Sequence, residues 1–390
     1  MTEPGGPQMS LAVHGYVPTS GESARFVDHV ATARNAGPGV SRTDATVGST
    51  YVDPTLEHLV ATAQTAEEMG VTSVLVPTGH TCEDAWVTAA ALMTATRRLG
   101  FMVAFRPGLL TPVLAAQMVA TFQRFSGGRL LLNVTPGVPG PTSQRYGDWS
   151  DKAERLDQAG EFLTIMRGAW SGRPFTFEGH YHRVREASVA PFTPPPTIYY
   201  GGSSEQSQRF AAEHADVYLS YVEPLEMTAE RLDRVRRFAA DQGRTVRTAL
   251  CFGVVSRETS AEAWAAADAM MDGVDMAELA TARSAFTTAG VNGSAARQRL
   301  TGAWSGSDDG RAVVGPNLWI GPMLVRSGMP PAFVGSHEEI ADRIEELVNI
   351  GCDEVQIVGA PNRQSILSFG TNVMPLLRQR GLTCGPTVPL

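Results

Sequence analysis

The sequence alternates short, nearly continuous apolar runs with longer segments that carry apolar residues at helical spacing. Runs of this kind are typical of parallel strands covered on both faces, and a repeated strand-helix order predicts a parallel sheet. Eight runs fit the description: Leu11–Val17, Thr72–Val76, Leu99–Phe105, Arg129–Val134, Thr197–Tyr200, Val217–Tyr221, Val246–Val255 and Glu354–Val358. A segment with helical spacing follows each of them.

Eight strand-helix units predict a (β/α)8 TIM barrel with insertions, and a doubly wound sheet is the alternative. We expect one domain over residues 1–390. Its insertions are a loop at about 31–50, a hairpin at about 171–190 and a lid-like segment at about 280–315. In a barrel of this kind, the chemistry is expected at the carboxyl ends of the strands.

Composition excludes several classes of protein. The formal net charge is −8 and the basic residues are scattered, so no stripe of Lys and Arg is available to bind nucleic acid. Four cysteines without a CxxC pair argue against a disulfide framework or a zinc site, and we predict no metal. The chain shows neither a signal-peptide pattern nor an apolar run of membrane-spanning length, so a cytoplasmic protein without a membrane partner is expected.

The turn Gly201–Ser204 follows the fifth predicted strand and precedes a predicted helix. Glycines allow close approach of a ligand, while Ser203, Ser204 and the first amides of the helix supply donors for an anion. The turn is therefore a candidate phosphate site, and an ordinary helix cap is the alternative. The turn matches neither GxGxxG nor a P-loop.

Polar side chains also follow other predicted strands. His80 and Cys82 lie after the second strand, where an imidazole and a thiol are candidates for proton transfer and for hydrogen bonding to a ligand. The alternative is a helix cap with a packed cysteine. Asn133 and Thr135 lie at the end of the fourth strand and could contact a ring-shaped ligand, and Arg326 could pair with an anion.

With these residues in place, the chain resembles the bacterial-luciferase-like family of flavin-dependent oxidoreductases, and within it the alkanesulfonate monooxygenase group. The resemblance is carried by VPTGHTCEDAW (76–86), VAFRPGLLTPVLAAQMVATFQRFSGGRLLLNV (103–134), YYGGSSEQSQRFAAEHADVYLSYVEP (199–224) and PNLWIGPMLVRSG (316–328). It implies a barrel that binds reduced FMN, supplied by a separate reductase. O2 then reacts at flavin C4a to give a peroxyflavin that oxygenates a small substrate. Homodimers and homotetramers are common in the family.

The resemblance also assigns residues, position by position. Gly201, Gly202, Ser203 and Ser204 would hold the FMN phosphate. The isoalloxazine would lie along the strand end Val103, Ala104 and Phe105, together with Asn133 and Thr135. Cys82 matches a cysteine near the reacting edge of the flavin, and Arg326 matches an arginine on the lid side.

Several positions depart from the sulfonate group. The stretch Cys251-Phe252-Gly253 lacks the Arg and His that face the substrate, Ala360 replaces a tyrosine, and Tyr221 replaces a tryptophan. Losing a buried Arg would leave a sulfonate uncompensated. We therefore expect a small organic substrate that is not a simple alkanesulfonate and is larger, less anionic or more apolar than one, although an organosulfur compound remains a candidate.

The candidate catalytic residues are then His80, Cys82, Tyr221 and Arg326, and we expect Tyr221 and Cys82 to lie near His80. Two other functions stay open: a hydride-transferring oxidoreductase that uses the deazaflavin F420, and a flavin-binding protein without catalysis.

Overall fold

The computed structural model describes residues 9–26, 28, 50–137, 139–274, 299–300, 311–325 and 329–385. The strands in this part of the chain are β1 (Met9–Tyr16), β2 (Ser73–Val76), β3 (Gly100–Phe105), β4 (Leu130–Val134), β5 (Phe175–Glu178), β6 (Arg183–Ala187), β7 (Ile198–Tyr200), β8 (Val217–Tyr221), β9 (Arg247–Arg257), β10 (Val313–Gly315), β11 (Leu318–Trp319), β12 (Ala332–Ser336), β13 (Glu354–Val358) and β14 (Leu382–Cys384). The helices are Leu56–Glu68, Ala85–Thr94, Pro112–Ser126, Pro141–Gln144, Lys152–Ala169, Glu205–His214, Leu225–Ala240, Ser260–Met271, Gly321–Val325, His337–Asn349, Asn362–Ser368 and Met374–Gln379, with a π-helical turn at Phe369–Val373.

Eight of the strands close into a parallel barrel. The order is β1, β2, β3, β4, β7, β8, β9 and β13, and each strand pairs with the next in parallel. Closure is complete because β13 also pairs with β1. The predicted (β/α)8 barrel is therefore confirmed, and each of the eight predicted strands overlaps one barrel strand. The doubly wound alternative is wrong, since a doubly wound sheet stays open.

The predicted hairpin is also present, because β5 and β6 form a separate antiparallel pair. Two features of the insertion after β9 were not predicted. The lid-like insertion expected at about 280–315 ends in strand β10, and β12 lies beside the carboxyl half of β9 from Gly253 to Arg257. β12 is five residues long and follows two prolines, so its own sequence signal is weak and its pairing with the long β9 stabilises it. Residues 31–49 of the predicted loop and residues 280–298 and 301–310 of the predicted lid-like insertion lie outside the described residues.

A buried polar network fills the amino-terminal end of the barrel interior. The Glu354 carboxylate contacts Nε2 of His14 at 2.9 Å, accepts a hydrogen bond from the Tyr199 hydroxyl at 2.7 Å and pairs with Arg247. Nδ1 of His14 lies 2.7 Å from Ser73 Oγ. Burial alone would raise the pKa of Glu354, but the hydrogen bond to His14 and the charges of His14 and Arg247 more than offset it and lower that pKa.

The helices surround the barrel, and one of them packs beside the carboxyl end of β3, where the site is expected. Helix Lys152–Ala169 begins with a capping box in which Asp151 and Glu154 bond reciprocally to each other's backbone amides at 2.9 and 2.7 Å. Its buried Phe162 ring lies 5.9 Å from the Phe105 ring at the end of β3. This packing holds the middle of the helix against the carboxyl end of β3. No helix in the described ranges is long and apolar enough to cross a membrane.

Candidate active site

The turn after β7 has the geometry of an anion cradle. Ser204 is the N-cap of helix Glu205–His214, and its Oγ accepts the Ser207 amide at 3.3 Å. A Cβ on Gly202 would lie 2.5 Å from Ser207 Cβ, and one on Gly201 would clash with the Leu219 carbonyl oxygen. The two glycines are thus required by close packing, and they bring the backbone to the start of the helix, where an anion is favoured.

The cradle includes a cation that the sequence did not indicate. Lys152 Nζ donates a hydrogen bond to Ser204 Oγ at 2.7 Å, although the two residues are far apart in the chain. The turn itself is held in place, because Tyr218 donates to the Gly202 carbonyl at 2.7 Å and Gln208 donates to the Ser203 carbonyl at 3.0 Å. An ammonium group, a hydroxyl and a helix N-terminus together suit a phosphate monoester, so the residues present fit the phosphate of FMN.

The residues predicted to lie along the flavin ring fall into two sets. Ala104 and Asn133 are register partners on β3 and β4, and strand alternation points both toward the barrel interior with Met102 and Leu131. Val103 and Phe105 instead pack in the core between barrel and helices, so only their backbone can face a ligand. Thr135 donates its hydroxyl to the Phe105 carbonyl at 3.0 Å and joins the ends of the two strands.

His80 and Cys82 lie on the loop after β2, beside residues from β3 and from the loop after β4. Nη1 of Arg145 donates to Nε2 of His80. The acceptor must be a neutral imidazole, and the pKa of His80 is lowered by burial and by the charges of Arg145 and Arg106. Cys82 is half-buried in a turn closed by its amide and the Gly79 carbonyl.

Tyr146 completes this side of the rim. The Arg106 guanidinium lies over its ring, 4.9 Å from the centroid. Burial raises the pKa of Tyr146; Arg106 opposes this effect, whereas Cys82 and Asp84 add to it. These interactions bring Cys82, Arg106 and Tyr146 into one group. Arg106 follows a strand end and could have been found from that position, whereas Arg145 and Tyr146 come from a loop with no periodic signal.

Tyr221 does not join that group. It ends β8, which is four strands away from β2 in the eight-stranded barrel and therefore lies across the mouth. Its side chain packs with the interior residues Tyr199, Leu219 and Cys251. The expectation that Tyr221 lies near His80 is wrong, because the two residues stand on opposite walls. Arg326 lies outside the described residues.

The wall formed by β9 explains a departure seen in the sequence. Cys251 is fully buried, and burial raises the pKa of its thiol. A Cβ on Gly253 would lie 2.8 Å from Ala332 Cβ on the neighbouring β12. A large side chain at position 253 would require β12 to move, so this wall can present neither an imidazole nor a guanidinium from these positions.

A closed parallel barrel with cationic and hydrogen-bonding groups at the carboxyl ends of its strands defines a (β/α)8 enzyme. The chain belongs to the luciferase-like monooxygenase family, whose model matches residues 27–354. This is an oxidoreductase family of flavin-dependent monooxygenases that also contains F420-dependent enzymes. The family expected from the sequence is thus confirmed.

Solved structures with this fold share little sequence with the chain. A riboflavin lyase, solved with modified FMN and riboflavin, is 19% identical, has a TM-score of 0.72, and the match covers 98% of this chain and 94% of the lyase. A long-chain alkane monooxygenase is 18% identical with a TM-score of 0.73, over 97% and 93% of the two chains. An F420-dependent secondary alcohol dehydrogenase is 16% identical with a TM-score of 0.62, over 95% and 100%.

Proposed function

We propose that the protein is the oxygenase component of a two-component monooxygenase that uses reduced FMN and O2 to oxygenate a small organic molecule. The observation that carries the proposal is the cradle formed by Gly201, Gly202, Ser203, Ser204 and Lys152. It offers a cation, hydroxyls and a helix N-terminus to one phosphate group. When bound, reduced FMN would supply the electrons that activate O2.

The chain's own residues would position the cofactor and the substrate. Ser204 and Lys152 would hold the phosphate, while Ala104 and Asn133 would lie along the ring. Cys82 would stand near its reacting edge. His80, being neutral, would be able to accept a proton from a substrate or donate a hydrogen bond to it. Arg326 would approach from the lid side, and Tyr221 would form the opposite wall.

A separate flavin reductase would supply the cofactor, as the resemblance to the two-component members of this family implies. We also expect a homodimer or homotetramer. Among family members we place the chain nearest the alkanesulfonate monooxygenase group, with a different substrate. The apolar, closely packed wall at Cys251 and Gly253 supports that difference, because it cannot pair with a sulfonate.

An anaerobic fluorescence titration with reduced FMN, oxidised FMN and F420 tests the proposal. We expect micromolar binding with a preference for reduced FMN, and substrate turnover only after O2 is admitted. A preference for F420 with turnover in the absence of O2 would establish the hydride-transfer alternative. Tight flavin binding without turnover in a substrate screen, including sulfite detection, would favour a flavin-binding protein. Binding of neither FMN nor F420 would contradict the proposal that the protein uses a flavin cofactor.

A further inference from the structure

Two arginines near the carboxyl ends of β2, β3 and β4 have no acidic partner among the described residues. Arg106 is half-buried, and its Nε is buried with no hydrogen-bond acceptor among the described residues. Arg145 bonds to the neutral His80. No carboxylate in the described part of the chain forms an ion pair with either of them. Other buried arginines are paired: Arg155 with Asp148 and Arg231 with Glu223.

The two cations act on the same small region. Both lower the pKa of His80, and Arg106 also stacks on Tyr146. Asp84 is close enough to affect the pKa of Tyr146, but its Oδ1 is occupied as a helix cap by the Val87 amide at 2.9 Å. Two cations that act on one imidazole also repel each other, and an anion bound between them would offset that repulsion. Arg106 and Arg145, with His80 and Tyr146, are here called the arginine pocket.

The arginine pocket is separate from the phosphate cradle. Arg106 extends β3, whereas the cradle follows β7, and β4 lies between these two strands. Cys82, the residue expected near the reacting edge of the flavin, belongs to the arginine-pocket side. One anion site is therefore available for the cofactor and another for a molecule beside it.

We propose that the arginine pocket binds a carboxylate, sulfonate or phosphate group of the substrate, so that the substrate is an organic anion. The inference rests on the proposed function and refines it. It also revises the expectation that the substrate is less anionic. The charge absent from the β9 wall at Cys251 and Gly253 is supplied by guanidinium groups at β3 and the loop after β4. Guanidinium groups match planar oxyanions with two parallel hydrogen bonds.

Binding of an anion at the arginine pocket should also free His80 from its hydrogen bond with Arg145. An oxyanion that takes the N–H groups of Arg145 removes the hydrogen bond on His80 Nε2 and cancels part of the positive potential. The imidazole would then be free to exchange a proton with the bound molecule. The anionic group would thus hold the substrate at the arginine pocket and leave His80 free to act as a base.

The test compares hexanoate and hexanesulfonate with hexan-1-ol, titrated into the protein loaded with reduced FMN under anaerobic conditions. We expect the acids to bind at least tenfold more tightly than the alcohol. Arg106→Gln and Arg145→Gln should each reduce that preference at least fivefold, while Arg183→Gln, an exposed arginine on the β5–β6 hairpin, should retain it. Equal binding of acids and alcohol, binding of none of them, or an unchanged preference in both pocket variants would overturn the proposal.

Two further readouts separate the explanations. Binding of hexanoate should raise the pKa of His80. The titration can be followed by NMR, with the His80 signal assigned from its absence in His80→Asn. An unchanged pKa would count against the arginine pocket. If the arginines held the cofactor phosphate instead, Arg106→Gln and Arg145→Gln would abolish the preference for FMN over riboflavin, which would overturn the proposal. If reduced FMN fails to bind but flavin-free protein keeps the arginine-dependent preference for hexanoate, the proposed function fails and the anion site stands.

Discussion

The two ends of the barrel differ in whether their buried polar side chains have hydrogen-bond partners. At the amino-terminal end, His14, Ser73, Tyr199 and Arg247 are joined directly or through Glu354, and none of these side chains lacks a partner. At the carboxyl end, Arg106 Nε and Thr19 Oγ1 are buried without hydrogen-bond partners in the described part of the chain. A closed network stabilises one structure, whereas unsatisfied groups favour a ligand that completes their bonding.

The largest effect should follow from breaking the closed network. Glu354→Ala leaves two buried polar groups and a guanidinium without their carboxylate, which should cost about 3–5 kcal/mol in the free energy of unfolding. Glu178→Ala removes an exposed partner of Arg183 and should cost less than about 1 kcal/mol. Urea denaturation measures both values. Similar small losses would mean that the network adds little to stability.

The Glu354 carboxylate should also make the free energy of unfolding depend on pH. The pKa of Glu354 is lowered in the folded state, so its contribution is complete above the unfolded value of about 4.3 and is lost as the pH falls through the folded value. Unfolding free energies measured from about pH 7 to pH 2.5 should fall more steeply for the natural protein than for Glu354→Gln. Parallel curves would contradict this assignment.

The glycine turn at the other end should tolerate little added volume. Gly201→Ala forces its Cβ against the Leu219 carbonyl and should cost about 1–3 kcal/mol in stability while weakening FMN binding. Gly315→Ala is the matched control, because the nearest atom to its Cβ would be 3.7 Å away. Thermal unfolding and flavin titration report the two effects. Equal behaviour of the two variants would show that close packing at the turn is unimportant.

The smallest predicted effect concerns His80. His80→Asn should slow turnover about tenfold or more without changing flavin affinity, because it removes the proton acceptor and leaves the phosphate cradle intact. The pKa of His80 is lowered in the protein without substrate, so kcat/KM of the natural enzyme should hold below the ordinary histidine pKa of about 6.5 and fall only as the imidazole is protonated. Steady-state rates against pH provide the measurement. An unchanged rate would remove His80 from the mechanism.

The sequence predicted the barrel well because its strands are buried on both faces and therefore appear as continuous apolar runs. The cap at Ser204 was equally visible, since caps depend on local residue types. Lys152 and Arg145 could not be predicted to join the site. Their places depend on how distant loops and helix starts meet at the mouth, and a surface Lys or Arg looks the same in the sequence wherever it lies. β12 was missed for a related reason, because its pairing partner is distant in the chain.

The most direct test of the account compares reduced FMN with reduced riboflavin under anaerobic conditions, in the natural protein and in Lys152→Gln. The two ligands differ only in the phosphate. The cradle predicts that the natural protein prefers reduced FMN about tenfold or more, that Lys152→Gln loses most of that preference, and that Arg183→Gln keeps it. Equal affinity of the natural protein for the two ligands would contradict the assignment of the Gly201–Ser204 turn and Lys152 as a phosphate site.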